Sequence, residues 1–158
     1  MVYNKRMSVT WYNLLKYLHV LLAITALGSN ITYGVWKGLA AREPAQESFV
    51  LRGIAFLDNR VANPAYGLLL ITGLALVVIG NWGLRGWVIA ALILFALLIV
   101  IAVGFYSRIL RQQLQVVASE GPASATYKRL DGQATTYGLV SLVIVLAIVF
   151  MMVVKPFP

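Results

Sequence analysis

The stretch Trp87–Phe105, WVIAALILFALLIVIAVGF, decides the fold. It runs for 19 residues without a charged or amide side chain. About 20 apolar residues in a helix cross the roughly 30 Å hydrocarbon core of a bilayer. The segment therefore reads as a membrane span.

Outward from it, three further apolar runs read the same way. Gly138–Val154 carries only Ser141 as a polar side chain, and Thr135, Thr136 and Tyr137 extend it at the interface. A run from about Val61 to Ile79 starts at Asn63-Pro64 and contains Thr72. The first, about Trp11–Trp36, is the most polar, with Lys16, His19, Thr25, Ser29, Asn30 and Thr32. The expected spans are 11–36, 61–79, 87–106 and 135–154, in one domain. Lys5 and Arg6 before an apolar run, with Ala26-Leu27-Gly28 after it, loosely resemble a signal peptide and its cleavage site. Lys16 and His19 interrupt the apolar region, so the segment reads as the first span instead.

Composition agrees. Of 158 residues, 61% are hydrophobic and 11% charged, against about half and a quarter in soluble domains. Lipid covers what a core this small could not hide. The net charge of +8 comes from basic residues in the connections, with no continuous patch of interleaved aromatics, so nucleic acid is not the expected partner. No cysteine is present, which excludes disulfides and thiolate sites.

The connections set topology. Gly80-Asn81-Trp82-Gly83-Leu84-Arg85-Gly86 is short and glycine-rich, which makes the second and third spans antiparallel neighbours. Ser107–Ser119 keeps Ile109, Leu110, Leu114 and Val117 at helical spacing until Glu120-Gly121-Pro122 stops it. The third helix is thus expected to continue beyond the membrane and form a helical hairpin with the fourth. Ser48–Leu57 reads as an interfacial segment or an early start of the second helix, which Pro64 would then kink. The fold class is all-α: a polytopic, antiparallel bundle of four transmembrane helices with a cytoplasmic hairpin.

Five basic residues (Lys5, Arg6, Lys16, Arg85 and Lys155) fall on the side of the termini and the second connection, and eight on the other. Basic residues mark the cytoplasmic side. Both termini are expected outside.

Polar groups within spans are costly unless satisfied, and are the functional candidates. His19, Ala23, Ala26, Asn30, Tyr33 and Lys37 recur at steps of three and four and share a helix face. With Asn63, Tyr66 and Thr72 from the second span, His19, Asn30 and Tyr33 make up the expected intramembrane polar face. His19 is the sole histidine. It is open to three roles: a structural hydrogen bond, a haem or metal ligand, or a relay. With Met151 and Met152 at comparable depth it could also hold Cu(I), since thioether and imidazole suit that ion. Asp58 and Arg60, just before the second span, read as solvated headgroup charges, the alternative being a pairing of Asp58 with Arg60 or with a base on the third helix, and Asn63 reads as a helix cap. There is no phosphate loop, no paired intramembrane carboxylate and no Ser-His-Asp set. No catalytic residue is assigned.

Tyr17-Leu18-His19-Val20 with Gly28, Asp58-x-Arg60-Val61-x-x-Pro64, Thr72-Gly73-Leu74 and Met152-Val153-Val154-Lys155-Pro156 resemble the bacterial membrane family named domain of unknown function 2269, over nearly the whole chain. That resemblance implies the fold and a bacterial inner membrane, and no activity. More distantly, Lys16-x-x-His19 followed by an apolar helix and Gly28 is similar to the first helix of CopD-like and HemJ-type proteins. The HemJ resemblance implies that His19 is an axial haem ligand. The chain departs from it in having no second histidine, so a bis-histidine haem would need a homodimer or another subunit. Three functions are in view: a haem- or metal-binding redox protein, a small-solute or ion transport subunit, and a structural subunit of a larger membrane complex.

The charge bias has a direct test. Single cysteines at Asn81 and Ser124, probed in intact cells with a membrane-impermeant thiol reagent, should label at Asn81 and not at Ser124. The opposite pattern would invert the topology.

Overall fold

A computed structural model describes the backbone of residues 2–157 and side chains from residue 11. Lys5 and Arg6, counted on the outer side, lie outside the described side chains. Four long helices account for nearly all of the chain: α1 (Val2–Ala40), α2 (Pro44–Ile79), α3 (Gly86–Ser119) and α4 (Ala125–Val154). There is no strand among the described residues. Each helix is long and apolar enough to cross a bilayer. Mid-helix side chains such as Ile24, Ile71, Ile93 and Val143 stay exposed, as expected where lipid is the solvent. The all-α antiparallel four-helix membrane bundle is the fold.

The second helix begins well before Val61. A short 3₁₀ turn at Pro44–Gln46 leads directly into it, so Ser48–Leu57 is helix. Pro64 does not break it. The proline lacks an N–H, and its ring crowds the carbonyl four residues back. The chain answers with a widened π turn at Asp58–Ala62, where the Asn63 N–H bonds the carbonyl of Asp58. The third helix has a second π turn at Val100–Tyr106, closed by the Ser107 N–H on the carbonyl of Ala102.

The first helix packs most closely on the second, and the third on the fourth. Gly80 makes the tight turn between the pairs possible. A Cβ there would sit 2.4 Å from the Trp82 ring and 2.8 Å from the Leu76 carbonyl. The third helix has 34 residues, about 50 Å at 1.5 Å per residue, against a core of about 30 Å. Its far end, Ser107–Ser119, packs on Glu47–Leu57 and on the start of the fourth helix. Gly121, at φ +82°, ends it. The Ser124 hydroxyl then caps the fourth helix by accepting from the Tyr127 N–H at 3.1 Å. The expected helical hairpin is therefore present.

Leu51 and Leu110 are almost fully enclosed where the second and third helices meet (0% and 2% exposed), while Phe49 is 63% exposed. Leu110→Ala should cost about 2–5 kcal/mol in reversible unfolding from mixed micelles. Phe49→Ala should stay within about 0.5 kcal/mol. Equal costs would contradict this packing.

Candidate functional site

The face of the first helix carrying His19, Asn30, Tyr33 and Lys37 turns towards the rest of the bundle. Its polar groups meet partners in successive layers.

In the first layer, His19 Nδ1 lies 2.8 Å from Thr72 Oγ1. The Thr72 hydroxyl has one proton, directed at the Leu68 carbonyl at 2.7 Å. Thr72 therefore accepts from His19, which places the ring proton on Nδ1 and leaves a lone pair on Nε2. Gly73 gives the ring its room, since a Cβ there would come within 3.2 Å of His19 Cε1.

His19 lines a partly open cavity of about 550 Å3 whose walls come from all four helices. The walls are mainly aliphatic. One end holds Lys16, Trp82, Trp87 and Lys155, and the other reaches Ala26, Tyr66, Leu98 and Val145 near the bundle centre. Lys155 Nζ sits 3.9 Å from the Trp82 ring centroid, and Trp82 packs edge-on against Trp87 at 5.0 Å. Trp87 is 4% exposed and forms part of this wall. Of the proposed thioether ligands, Met152 lines the cavity with His19 and Met151 does not. Among the described residues no group of three or more His, Cys, Asp or Glu side chains could hold a metal ion.

In the second layer, Asn30 Nδ2 donates to Tyr66 Oη at 2.9 Å, and Tyr66 meets Phe95 edge-on. Tyr33 stacks on Tyr106, with ring centroids 6.1 Å apart. Its hydroxyl is buried without a hydrogen-bond partner, as are Asn63 Oδ1 and Ser141 Oγ.

Asp58 sits beside this layer, and here the sequence reading needs correction. It is not a solvated headgroup charge but is 3% exposed. Arg60, its suggested partner, is exposed and forms no ion pair with it among the described residues. Ser107 Oγ lies 2.6 Å from Asp58 Oδ2, and Asn63 Nδ2 lies 3.4 Å from the same oxygen. Asn63 is thus no cap, because the helix runs through it. The cause is the pair of π turns, which rotate Asp58 and Ser107 inward to face one another. Pro64 was the available signal. Nothing in Val100–Tyr106 announced the second widened turn.

The last layer closes the bundle at the hairpin end. Lys37 Nζ pairs with Glu47 and with Asp131, the latter at 2.7 Å, and lies 2.8 Å from Tyr127 Oη. Tyr127 donates to Glu47, and Gln113 Nε2 donates to Asp131 at 3.0 Å. Lys37, the last of the residues expected on the shared face of the first helix, is the centre of a network joining all four helices.

A family model described as a predicted integral membrane protein (DUF2269) matches residues 13–156. No curated protein and no solved structure matches the chain.

Glu47 is 5% exposed, so removing its cation strands a buried charge. Lys37→Met should cost about 3–5 kcal/mol in micelle unfolding, and Lys37→Met with Glu47→Leu should recover much of that. A cost no larger than that of exposed Lys128→Met would show that the network is not structural.

Proposed function

The chain belongs to the DUF2269 family of predicted integral membrane proteins, and on that premise we propose that it binds a flat, largely apolar, anionic cofactor of the haem class in its central cavity. The carrying observation is the state of His19. Thr72 holds Nδ1–H and leaves the Nε2 lone pair free, as in a ligating histidine whose other nitrogen is fixed by an oxygen. The cavity volume of about 550 Å3 is within the range of cofactor sites. Its aliphatic walls suit a macrocycle, and Lys16 and Lys155 at one end suit acidic substituents.

His19 would hold such a group through Nε2, Thr72 would orient the imidazole, and the two lysines would bind the acidic edge. Haem supplies one-electron chemistry when bound. The apolar walls would exclude water and set the low-dielectric surroundings that tune it. No second histidine is available within the chain, so any further protein ligand would be a non-histidine side chain or would come from a second copy. We place the cavity in the outer half of a bacterial inner membrane, with both termini outside, because the basic residues favour the hairpin end as cytoplasmic.

Protein purified after expression with haem available should show a Soret band that is lost in His19→Ala. Thr72→Val should keep the band with affinity lowered about 10- to 100-fold. A folded wild-type protein that stays colourless and takes up no added haem would refute the reading.

A further inference from the structure

The cavity does not use Asp58. Its carboxylate lies between the second and third helices among groups whose hydrogen-bond arithmetic is informative. The Ser107 hydroxyl has one proton and two acceptors within reach: Asp58 Oδ2 at 2.6 Å and the Ala102 carbonyl at 3.1 Å. It cannot donate to both. Both contacts become hydrogen bonds if Asp58 itself carries a proton and donates it to Ser107 Oγ, while Ser107 donates to Ala102.

The surroundings agree. No cation lies within ion-pair distance of Asp58 among the described residues. The titratable and charged groups around it are Tyr33 on the first helix, Tyr66 on the second, and Tyr106 and Arg111 on the third, with Asp131 of the fourth helix acting on Tyr106. The three tyrosines are neutral at ordinary pH. Arg111 is exposed, and Asp131 is held by Lys37 and Gln113. The Tyr33 hydroxyl, on a side chain 6% exposed, has no partner, and neither does Asn63 Oδ1. Two orphaned polar atoms beside a buried carboxyl group are places for internal water, which needs two to four polar partners. Such water would link Asp58 to the Asn30–Tyr66 layer that ends the cavity.

We propose that Asp58 is a proton-binding site, loaded at neutral pH, held by Ser107 and Asn63 and served by internal water beside Tyr33. The proton comes from water and returns to it, with no other bond made or broken. This site is independent of the occupant of the cavity and stands whether or not haem binds.

The chain makes the test simple, since Asp58 and Asp131 are its two aspartates. Full-length protein in lipid nanodiscs, carrying side-chain carboxyl 13C-labelled aspartate, should give two carboxyl signals, assigned with Asp58→Asn and Asp131→Asn. At pH 7 in potassium buffer the Asp58 signal should be that of a neutral acid, moving to the carboxylate position only in alkaline solution. Ser107→Ala should shift its titration while Asp131 is unmoved. A carboxylate signal for Asp58 at pH 7 would overturn the proposal, as would one that responds to sodium and not to pH, which would indicate a cation site. Should Asp58→Asn fail to fold, Asp131→Asn assigns the remaining signal.

Discussion

The bundle depends on one constraint: the first helix carries a polar face into hydrocarbon, and the groups on it look to the other helices for partners. Unmet hydrogen-bonding groups there cost several kcal/mol each. Three of these side chains are met layer by layer, through Thr72 for His19, Tyr66 for Asn30, and Glu47, Asp131 and Tyr127 for Lys37, while the Tyr33 hydroxyl has no protein partner. These contacts fix which face of the first helix looks inward. They also fix its register against the second helix, because a rotation or a slip by one turn would break all of them together. The apolar residues alone could not set that register, since Leu, Ile and Val pack as well on lipid as on one another.

The third and fourth helices answer a different demand. Their membrane segments are nearly all aliphatic, so they fill space and face lipid. Their specificity lies at the ends. Trp82, Trp87 and Lys155 close the cavity, while Gln113, Tyr127 and Asp131 tie the hairpin to the first connection. Between these ends the helices do not fill the centre, which leaves the cavity. A well-packed bundle would be more stable without such a space, and its persistence beside an oriented histidine is what makes it a functional candidate.

Much of this was legible in the sequence. The 19-residue run at Trp87 fixes the membrane class. The three- and four-residue steps from His19 to Lys37 mark the inward face, and Thr72, Tyr66 and Asn63 are where the second helix is polar. Glu120-Gly121-Pro122 marks the top of the hairpin. The burial of Asp58 was not legible, because it follows from two π turns that rotate it and Ser107 towards each other. Pro64 indicates a disturbance in the second helix, but whether a helix kinks or widens depends on what it packs against. The second widened turn has no proline at all. At the turn made by Gly80, Trp82 and Trp87 meet edge-on under Lys155, and Trp87 is buried there.

The first and second helices are locked by their polar layers. The most direct measurement is a double-mutant cycle between Asn30 and Tyr66, using Asn30→Ala and Tyr66→Phe with unfolding free energies in lipid bicelles. Interhelical hydrogen bonds in membranes are worth about 0.6 kcal/mol on average and up to about 1.7. The layered bundle predicts a favourable coupling of that size, with Asn30→Ala and the exposed Phe150→Ala strictly additive. A coupling of zero between Asn30 and Tyr66, with both single variants folded, would contradict it.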